Sequence, residues 1–383
     1  MSLRAPPSDL SRRTILKTGL VATGLSTAGL ALAACGADQP AEAATGPVQS
    51  LKTLVPFPIG AAVPSAYLDD PAFVELALRQ LSQVTPEWEL KMEYVLGEDA
   101  PSGPGSAGRY RFDAPDRIAT FARQHGLRFY GHALIWYAQE VPWFRDLDPA
   151  RFEAEYDRYI ATVVGRYAGQ AVGWDVVNEA VAEDGDGLRD CLWSQRLGGA
   201  DAYIARAFHQ ARAADPHAVL FLNDYNLEAL PRKGATFLRL VERLLSAGVP
   251  IGGIASQSHL DLDTPDGQIR DFYRSAAQFG LPIHVSELDA TQRREGGALD
   301  LRTLAYKRER QAALVGELGG AIMELPERQR FALTTWALRD KDSWLRRPPK
   351  DDGKDSLVLF DDDGRPTVMF DALVAAVQAK PAA

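Results

Sequence analysis

The sequence predicts an α/β fold, a TIM (β/α)8 barrel that forms a single domain. Short apolar runs alternate with longer stretches of helical periodicity, which is the pattern of a parallel sheet covered by helices. Eight such runs follow one another, and eight is the strand number of this barrel. The 383 residues, 46% of them hydrophobic, are enough to fill one core of that size.

The predicted strands are short apolar runs bounded by turn residues, and the predicted helices are the periodic stretches between them. The strands are Ile59–Val63, Gln83–Pro86, Leu127–Leu134, Val172–Asn178, Val219–Asn223, Gly253–Gln257, Ile283–Leu288 and Ala332–Trp336. The helices are Ala72–Leu81, Pro115–Gln124, Pro149–Tyr167, Ala202–Ala214, Ala235–Ala247, Gly267–Phe279, Leu301–Leu318 and Pro366–Gln378. Two segments rich in Pro, Gly and polar residues, Glu98–Gly108 and Arg346–Lys354, are predicted loops.

The N-terminal segment has the pattern of an export signal rather than of folded structure. Arg12 and Arg13 form a twin-arginine pattern, and a Gly/Ala/Leu-rich stretch follows. Leu32-Ala33-Ala34-Cys35-Gly36 resembles a bacterial lipobox. We therefore predict a signal segment over residues 1–35, a linker over 36–49 and the barrel domain over 50–383. If Cys35 is lipidated, we expect a periplasmic or membrane-anchored lipoprotein. The alternative is simple cleavage of the signal segment, which yields a secreted protein.

The composition excludes several classes of partner. The formal net charge is −9 and no basic patch is evident, so we expect no nucleic-acid binding. An acidic surface suits a neutral or weakly charged substrate better than a polyanion. Apart from Cys35 the only cysteine is Cys191, which cannot form an internal disulfide. We expect a monomer.

Two glutamates stand at the ends of predicted strands. Glu179 closes the run from Val172, and Glu287 closes the run from Ile283. A carboxylate at the end of a buried strand is costly unless it is paired or hydrogen-bonded. The carboxyl ends of the strands meet at one face of a barrel, where active sites are built. Two carboxylates converging there predict glycoside hydrolysis, although each Glu alone could simply end a strand in water.

Other polar and aromatic residues also follow predicted strands. In chain order they are Glu87 and Lys91, then His132, Trp136 and Gln139, then Asn178, then Gln257 and His259, and finally Trp336 and Trp344. Residues of these kinds at one barrel face are typical of a sugar-binding cleft, because pyranose rings pack on indoles while their hydroxyls need fixed polar partners.

Five motifs resemble those of glycoside hydrolase family 10, the endo-β-1,4-xylanases and their relatives. They are Trp-Asp-Val-Val-Asn-Glu-Ala at 174–180, Asn-Asp-Tyr-Asn at 223–226, Ser-Gln-Ser-His-Leu at 256–260, Ser-Glu-Leu-Asp at 286–289 and Asp-Lys-Asp-Ser-Trp at 340–344. The resemblance extends from about Ile59 to Val377, and the fold of that family is a TIM barrel.

The resemblance implies a role for each candidate residue. Glu179 would be the general acid/base and Glu287 the nucleophile of a retaining enzyme. His259 would support the nucleophile, and Asn178 would hydrogen-bond the sugar 2-hydroxyl. The remaining residues would bind substrate: Gln257 and His132 at the cleavage point, Trp136, Trp336 and Trp344 as walls of the cleft, and Glu87, Lys91 and Gln139 on the non-reducing side.

The chain departs from the motifs of the family at two positions. Trp88 stands where the family has a sugar-binding Asn, and Tyr137 follows Trp136 where the family commonly has His. An indole in place of an amide removes hydrogen bonds and adds bulk, so we expect a retuned subsite.

We therefore expect cleavage of β-1,4-linked xylan or xylo-oligosaccharides, with no metal and no organic cofactor. The first alternative is a related hydrolase of another β-linked or decorated glycan, which the two departures keep open. The second is a catalytically inactive barrel that only binds polysaccharide, against which the presence of both glutamates argues.

Overall fold

A computed structural model describes residues 49–97, 108–293, 300–347, 353 and 355–379. The predicted signal segment with Arg12, Arg13 and Cys35, most of the predicted linker and most of the two predicted loops lie outside the described residues. Within the described part of the chain, no helix combines the length and the apolar character needed to cross a bilayer.

The central element is a closed parallel barrel. Its strands and two short accessory strands are β1 (Ile59–Ala62), β2 (Gln83–Thr85), β3 (Arg128–Gly131), β4 (Ile135–Trp136), β5 (Ala171–Asn178), β6 (Val219–Asp224), β7 (Gly253–Ser256), β8 (His259–Asp261), β9 (Ile283–Thr291) and β10 (Arg330–Thr335). The barrel order is β1-β2-β3-β5-β6-β7-β9-β10, and pairing of β10 with β1 closes it. The accessory strands β4 and β8 pair with β5 and β9. The predicted TIM barrel is confirmed.

Helices lie before the first strand, between strands of the barrel and after the last strand. They are α1 (Leu51–Leu54), α2 (Pro71–Gln80), α3 (Met92–Val95), α4 (Asp113–Gln124), α5 (Pro149–Arg166), α6 (Leu192–Arg196), α7 (Ala200–Ala214), α8 (Pro231–Ser246), α9 (Gln268–Ala277), α10 (Leu304–Glu324) and α11 (Val368–Gln378). Local chemistry explains several starts. Asp70 caps α2, accepting from the N–H groups of Ala72 and Phe73, and proline occupies the first position of α2, α5 and α8.

Some predicted boundaries were wrong, for local reasons. α10 begins at Leu304 rather than Leu301, because the Thr303 side chain caps it. α11 begins at Val368 rather than Pro366, which is held in a β-bridge with Phe360. β3 ends at Gly131, before the predicted Leu134, and the chain pairs with β5 again from Leu134 and through β4.

Glu287 does not close its strand, contrary to the prediction. β9 continues to Thr291, because β8 pairs with its second half from His259↔Asp289 to Asp261↔Thr291. The register between β9 and β10 shifts at the level of Glu287, where Thr335 pairs with Leu288 after Leu333 has paired with Val285. The irregularity changes the regular alternation of side chains beside this glutamate.

The interior of the barrel is packed with rings below the site. Tyr130, Phe221, His284 and Phe331 contact one another with ring centroids 4.5–5.9 Å apart. Burial lowers the pKa of His284 well below its ordinary value, so this imidazole is a neutral core residue that hydrogen-bonds Thr334 at 2.9 Å. Polar side chains replace these rings toward the carboxyl ends of the strands, which makes that face suited to chemistry.

Candidate active site

One cleft of about 330 Å³ lies at the carboxyl ends of the barrel strands. Its lining includes both glutamates and nine other predicted site residues, together with Tyr225, which was not predicted as a site residue. The lining residues are Glu87, Lys91, His132, Trp136, Asn178, Glu179, Tyr225, Gln257, His259, Glu287, Trp336 and Trp344. The fold therefore brings together residues from seven of the eight barrel strands or from the loops that follow them.

Glu287 is surrounded by hydrogen-bond donors and cations. It is only 4% exposed. The Asn223 amide donates to its Oε1 at 3.0 Å, and His132 Nδ1 lies 3.9 Å from the same oxygen. On the other side His259 Nε2 lies 3.5 Å from Oε2. Each of these contacts favours the ionised carboxylate.

The pKa of Glu287 is lowered from its ordinary value. Burial by itself raises this pKa, but His132, His259 and Lys91 more than offset it by stabilising the negative charge. A carboxylate that stays ionised in a buried cleft is suited to act as a nucleophile.

Glu179 has a different environment. It follows β5 directly, and its backbone φ is +60°, a left-handed conformation that costs a residue other than Gly about 1–3 kcal/mol. Its amide N–H donates to the Asn223 carbonyl at 2.8 Å. Its Oε1 accepts from the side-chain amides of Gln257 at 3.0 Å and Asn178 at 3.2 Å. The contacts with neutral amides position the carboxyl group without supplying a positive charge.

The pKa of Glu179 is raised. Burial is the largest cause, and the negative charges of Asp224 and Glu287 add to it, while hydrogen bonds from Gln257 and Trp136 oppose it. A buried carboxyl group with a raised pKa keeps its proton at a pH where an exposed one is ionised, as a general acid must.

Amide side chains connect the two glutamates. Asn223 Nδ2 donates both to Glu287 Oε1 and to Asn178 Oδ1, each at 3.0 Å. Gln257 Nε2 contacts the same Asn178 oxygen at 3.2 Å as well as Glu179. This network holds the carboxyl groups as one unit across β5, β6, β7 and β9.

Two buried aspartates orient the histidines beside Glu287. His132 Nδ1 lies 2.8 Å from Asp175, which also accepts from the Tyr130 hydroxyl at 2.6 Å. His259 Nδ1 lies 2.9 Å from Asp289, which accepts from the Trp344 indole at 3.0 Å. Although burial lowers the pKa of His259, Asp289 and Glu287 raise it to about 10, so this imidazole is cationic at neutral pH.

Indole rings surround the cation of Lys91. Its Nζ lies 4.9 Å from the Trp136 ring centroid and 5.6 Å from that of Trp336, and the Trp336 ring contacts His132 with centroids 4.9 Å apart. Cation–π contacts of this kind hold the ammonium in place while leaving its N–H groups for a ligand.

Three predicted binding or specificity residues are absent from the lining of the cleft. Gln139 donates to Glu93 at 2.6 Å. The ring of Tyr137 lies under the Arg189 guanidinium, whose Cζ is 4.1 Å from the ring centroid, and Arg347 lies 4.7 Å from the Trp88 ring. The roles assigned to Gln139, Tyr137 and Trp88 from the sequence remain predictions.

Several important residues were not predicted as site residues. Asp175 had a usable signal, because a charged residue inside the otherwise apolar run of β5 must have a buried partner. Asn223, Tyr225 and Asp289 stand in the recognised motifs but received no role. Arg347, which reaches the cleft residue Glu87, had no sequence signal at all.

The described residues contain no group of three or more His, Cys, Asp and Glu side chains placed to hold a metal ion. The two buried carboxyl groups, with pKa values shifted in opposite directions, are suited to acid/base and nucleophilic chemistry.

Comparison with known proteins agrees with this geometry. Residues 50–376 match the sequence profile of glycosyl hydrolase family 10. The chain is 32% identical over 365 residues to endo-1,4-beta-xylanase A of Cellvibrio japonicus, which covers 88% of this chain and 57% of that protein. It is 33% identical over 328 residues to an endo-1,4-beta-xylanase of Geobacillus stearothermophilus, covering 82% and 94%. The chain thus spans little more than half the length of the first of these relatives.

Solved structures show the same relationship. A thermostable mutant of a xylanase from Cellvibrio japonicus superposes with a TM-score of 0.76 at 31% identity, covering 86% of this chain and all of that one. Xylanase XynB from Paenibacillus barcinonensis, complexed with a conduramine derivative, gives a TM-score of 0.75 at 31% identity over 85% and 98%. The chain belongs to glycosyl hydrolase family 10.

Proposed function

We propose that the protein is a retaining glycoside hydrolase that cleaves β-1,4-xylosidic bonds in xylan or xylo-oligosaccharides by double displacement. The observation that carries the proposal is the pair of buried glutamates in one cleft, whose pKa values are shifted in opposite directions. The chain belongs to glycosyl hydrolase family 10, and similar proteins are named endo-1,4-beta-xylanases. Both findings support the choice of xylan as the substrate.

In the first step Glu179 donates its proton to the glycosidic oxygen as the bond to the anomeric carbon breaks. A carboxylate oxygen of Glu287 forms a bond to that carbon, which gives a covalent glycosyl-enzyme and releases the leaving sugar. Because its pKa is raised, Glu179 holds the proton that it donates. Because its pKa is lowered, Glu287 is ionised and can act as the nucleophile.

In the second step the now ionised Glu179 takes a proton from water, whose oxygen attacks the anomeric carbon and displaces Glu287. Glu179 is thereby protonated again, and the anomeric configuration of the substrate is retained. The family resemblance implies that Asn178, which contacts Glu179, hydrogen-bonds the 2-hydroxyl of the reacting sugar.

Product analysis tests the proposal. Purified protein should hydrolyse an aryl β-xyloside and beechwood-type xylan, and NMR should show the β-anomer of the new reducing end before mutarotation. The α-anomer as first product would contradict double displacement. Binding of xylan without any hydrolysis would instead support the inactive barrel. Glu309→Ala, on an exposed position of α10, serves as a control that should behave as wild type.

A second candidate function is hydrolysis of another β-linked or decorated glycan. The observation that favours it is the arginine-covered Trp88 beside the cleft, where the family motif has an amide. Aryl β-glucosides and β-cellobiosides assayed beside the xylosides separate the two candidates, since the preferred sugar gives the higher kcat/KM.

We further propose export by the twin-arginine route with lipidation at Cys35. The support is the sequence alone, Arg12-Arg13 followed by Leu32-Ala33-Ala34-Cys35. Cys35→Ser should release the protein from the membrane fraction or block its maturation, whereas the control Cys191→Ser should leave membrane recovery unchanged. Equal membrane recovery of wild type and Cys35→Ser would remove the lipidation proposal.

A further inference from the structure

Arg347 forms an ion pair with Glu87, a predicted sugar-binding residue. Its Nη1 donates to Glu87 Oε1 at 2.7 Å and its Nη2 to Glu87 Oε2 at 2.8 Å, so the contact is bidentate. Nη2 also donates to the Asp342 carbonyl at 3.2 Å. Glu87 is 4% exposed and lines the cleft. A bidentate pair of this kind is strong and geometrically specific.

The ring of Trp88 stacks against the guanidinium of Arg347. The Cζ of Arg347 lies 4.7 Å from the centroid of the Trp88 ring, within the range of a cation–π contact. A planar guanidinium stacks on an indole better than on an amide. Trp88 does not line the cleft, but its indole contacts Arg347. We infer that this contact accounts for the presence of Trp at a position where the family motif has Asn.

The position of Glu87 relative to Glu179 and Glu287 identifies the end of the cleft at which Arg347 lies. Glu179 protonates the leaving oxygen, so the leaving group lies on its side and the attacked sugar lies over Glu287. Lys91 lies on the Glu287 side of the pair, because its Nζ is 5.6 Å from the centroid of the Trp336 ring, which contacts His132. His132 in turn lies 3.9 Å from Glu287. Glu87 lines the same cleft four residues before Lys91, so we assign it to the non-reducing side.

We propose that Arg347, stacked on Trp88 and paired with Glu87, is a specificity-determining residue that closes the non-reducing end of the cleft. This inference rests on the proposed function. With both oxygens of Glu87 engaged by Arg347, a second sugar on that side must share this carboxylate with the guanidinium. The protein would then prefer substrates that place one sugar, rather than two, on the non-reducing side of the cleaved bond. The cleft volume of about 330 Å³ is at the small end for ligand sites, about 300–1,000 Å³.

The test is the ratio of kcat/KM for an aryl β-xylobioside to that for an aryl β-xyloside, since only the first substrate reaches beyond the reacting sugar. Wild type is compared with Arg347→Ala and with Arg347→Met, which keeps an apolar stem on Trp88 but removes the guanidinium. Arg346→Ala, in the same loop, is the control, because its guanidinium bonds to Asp355 and Asp362. Thermal unfolding confirms that each variant is folded.

Release of Glu87 should raise the ratio about tenfold in both Arg347 variants, as expected for a regained hydrogen bond to a charged group. Arg346→Ala should leave it unchanged. A ratio that falls would identify Arg347 as a sugar ligand, and an unchanged ratio would show that the end is open; either result overturns the inference. If wild type cleaves neither xyloside, the proposed function fails instead, and the ratio is then measured with aryl β-cellobioside and β-glucoside.

Discussion

The surroundings of Glu287 and Glu179 differ in charge although the two residues are alike in type and burial. Glu287 is 4% exposed and Glu179 is 8% exposed, and burial raises the pKa of both. Around Glu287, His132, His259 and Lys91 reverse that effect. Around Glu179, the side-chain donors to the carboxyl group are neutral, and the negative charges of Asp224 and Glu287 raise its pKa further.

The comparison teaches that neighbouring charge, rather than depth, separates the two roles. Each role requires a different protonation state at the same pH, and a barrel can provide both because eight strands supply independent neighbours to one cleft. Changing the neighbours should therefore move the two pKa values separately, and removing the carboxyl groups should have unequal effects.

The largest effect is expected for Glu287→Ala. Loss of the nucleophile removes the covalent step, so kcat should fall by about 10⁵–10⁶-fold for every substrate, aryl glycosides included. Steady-state assays with xylan and with an aryl β-xyloside measure this loss. Appearance of a β-glycosyl azide when azide is added to this variant would reverse the assignment of the two glutamates.

Glu179→Ala should have a smaller and substrate-dependent effect. Turnover of xylan should fall by about 10²–10⁴-fold, the usual contribution of a general acid/base. An aryl glycoside with a good leaving group needs little protonation, so its first step should be spared and the glycosyl-enzyme should accumulate. Azide should restore turnover and give a β-glycosyl azide. Equal losses on both substrates, without rescue, would contradict the role of Glu179.

His259→Asn should alter the nucleophile alone. His259 is cationic below a pKa of about 10 and favours ionised Glu287, so its loss should raise the pKa of Glu287. The acidic limb of the pH profile of kcat/KM should move to higher pH, and the plateau should fall by about 10–100-fold. His209→Asn, on the exposed face of α7, is the control. A shift of the alkaline limb alone would place His259 with Glu179 instead.

Asp224→Asn should have the smallest effect, and it should act on the alkaline limb of the pH profile of kcat/KM. Asp224 is fully buried, pairs with Lys233 at 3.0 Å and raises the pKa of Glu179. Without this negative charge, Glu179 loses its proton more easily, so the alkaline limb should move to lower pH while the acidic limb stays.

The double variant Asp224→Asn/Lys233→Met avoids leaving an unpaired buried cation, and it should shift the same limb in the same direction. An unmoved alkaline limb in both folded variants would show that Asp224 does not tune the acid.

Much of this arrangement followed from the sequence because its signals are local. The apolar runs located all eight barrel strands, and the polar and aromatic residues at or after their ends included eleven of the twelve residues that line the cleft. Glu179 and Glu287 were singled out because a carboxylate in an apolar run is unusual.

Other features depend on tertiary context and could not be predicted. Arg347 and Glu87 are separated by 260 residues, and nothing in either local sequence indicates their contact. The left-handed backbone of Glu179 is imposed by its surroundings rather than by residue type. The continuation of β9 past Glu287 depends on pairing with β8, which is only three residues long.

The most direct test of the division of roles is to trap the covalent intermediate. The protein is incubated with an activated 2-deoxy-2-fluoro-β-xyloside, whose glycosyl-enzyme breaks down slowly, and the labelled peptide is located by mass spectrometry. The label should lie on Glu287, and inactivation should be prevented by a competing xylo-oligosaccharide. A label on Glu179 would contradict the account, because the carboxyl group with the raised pKa would then be the nucleophile.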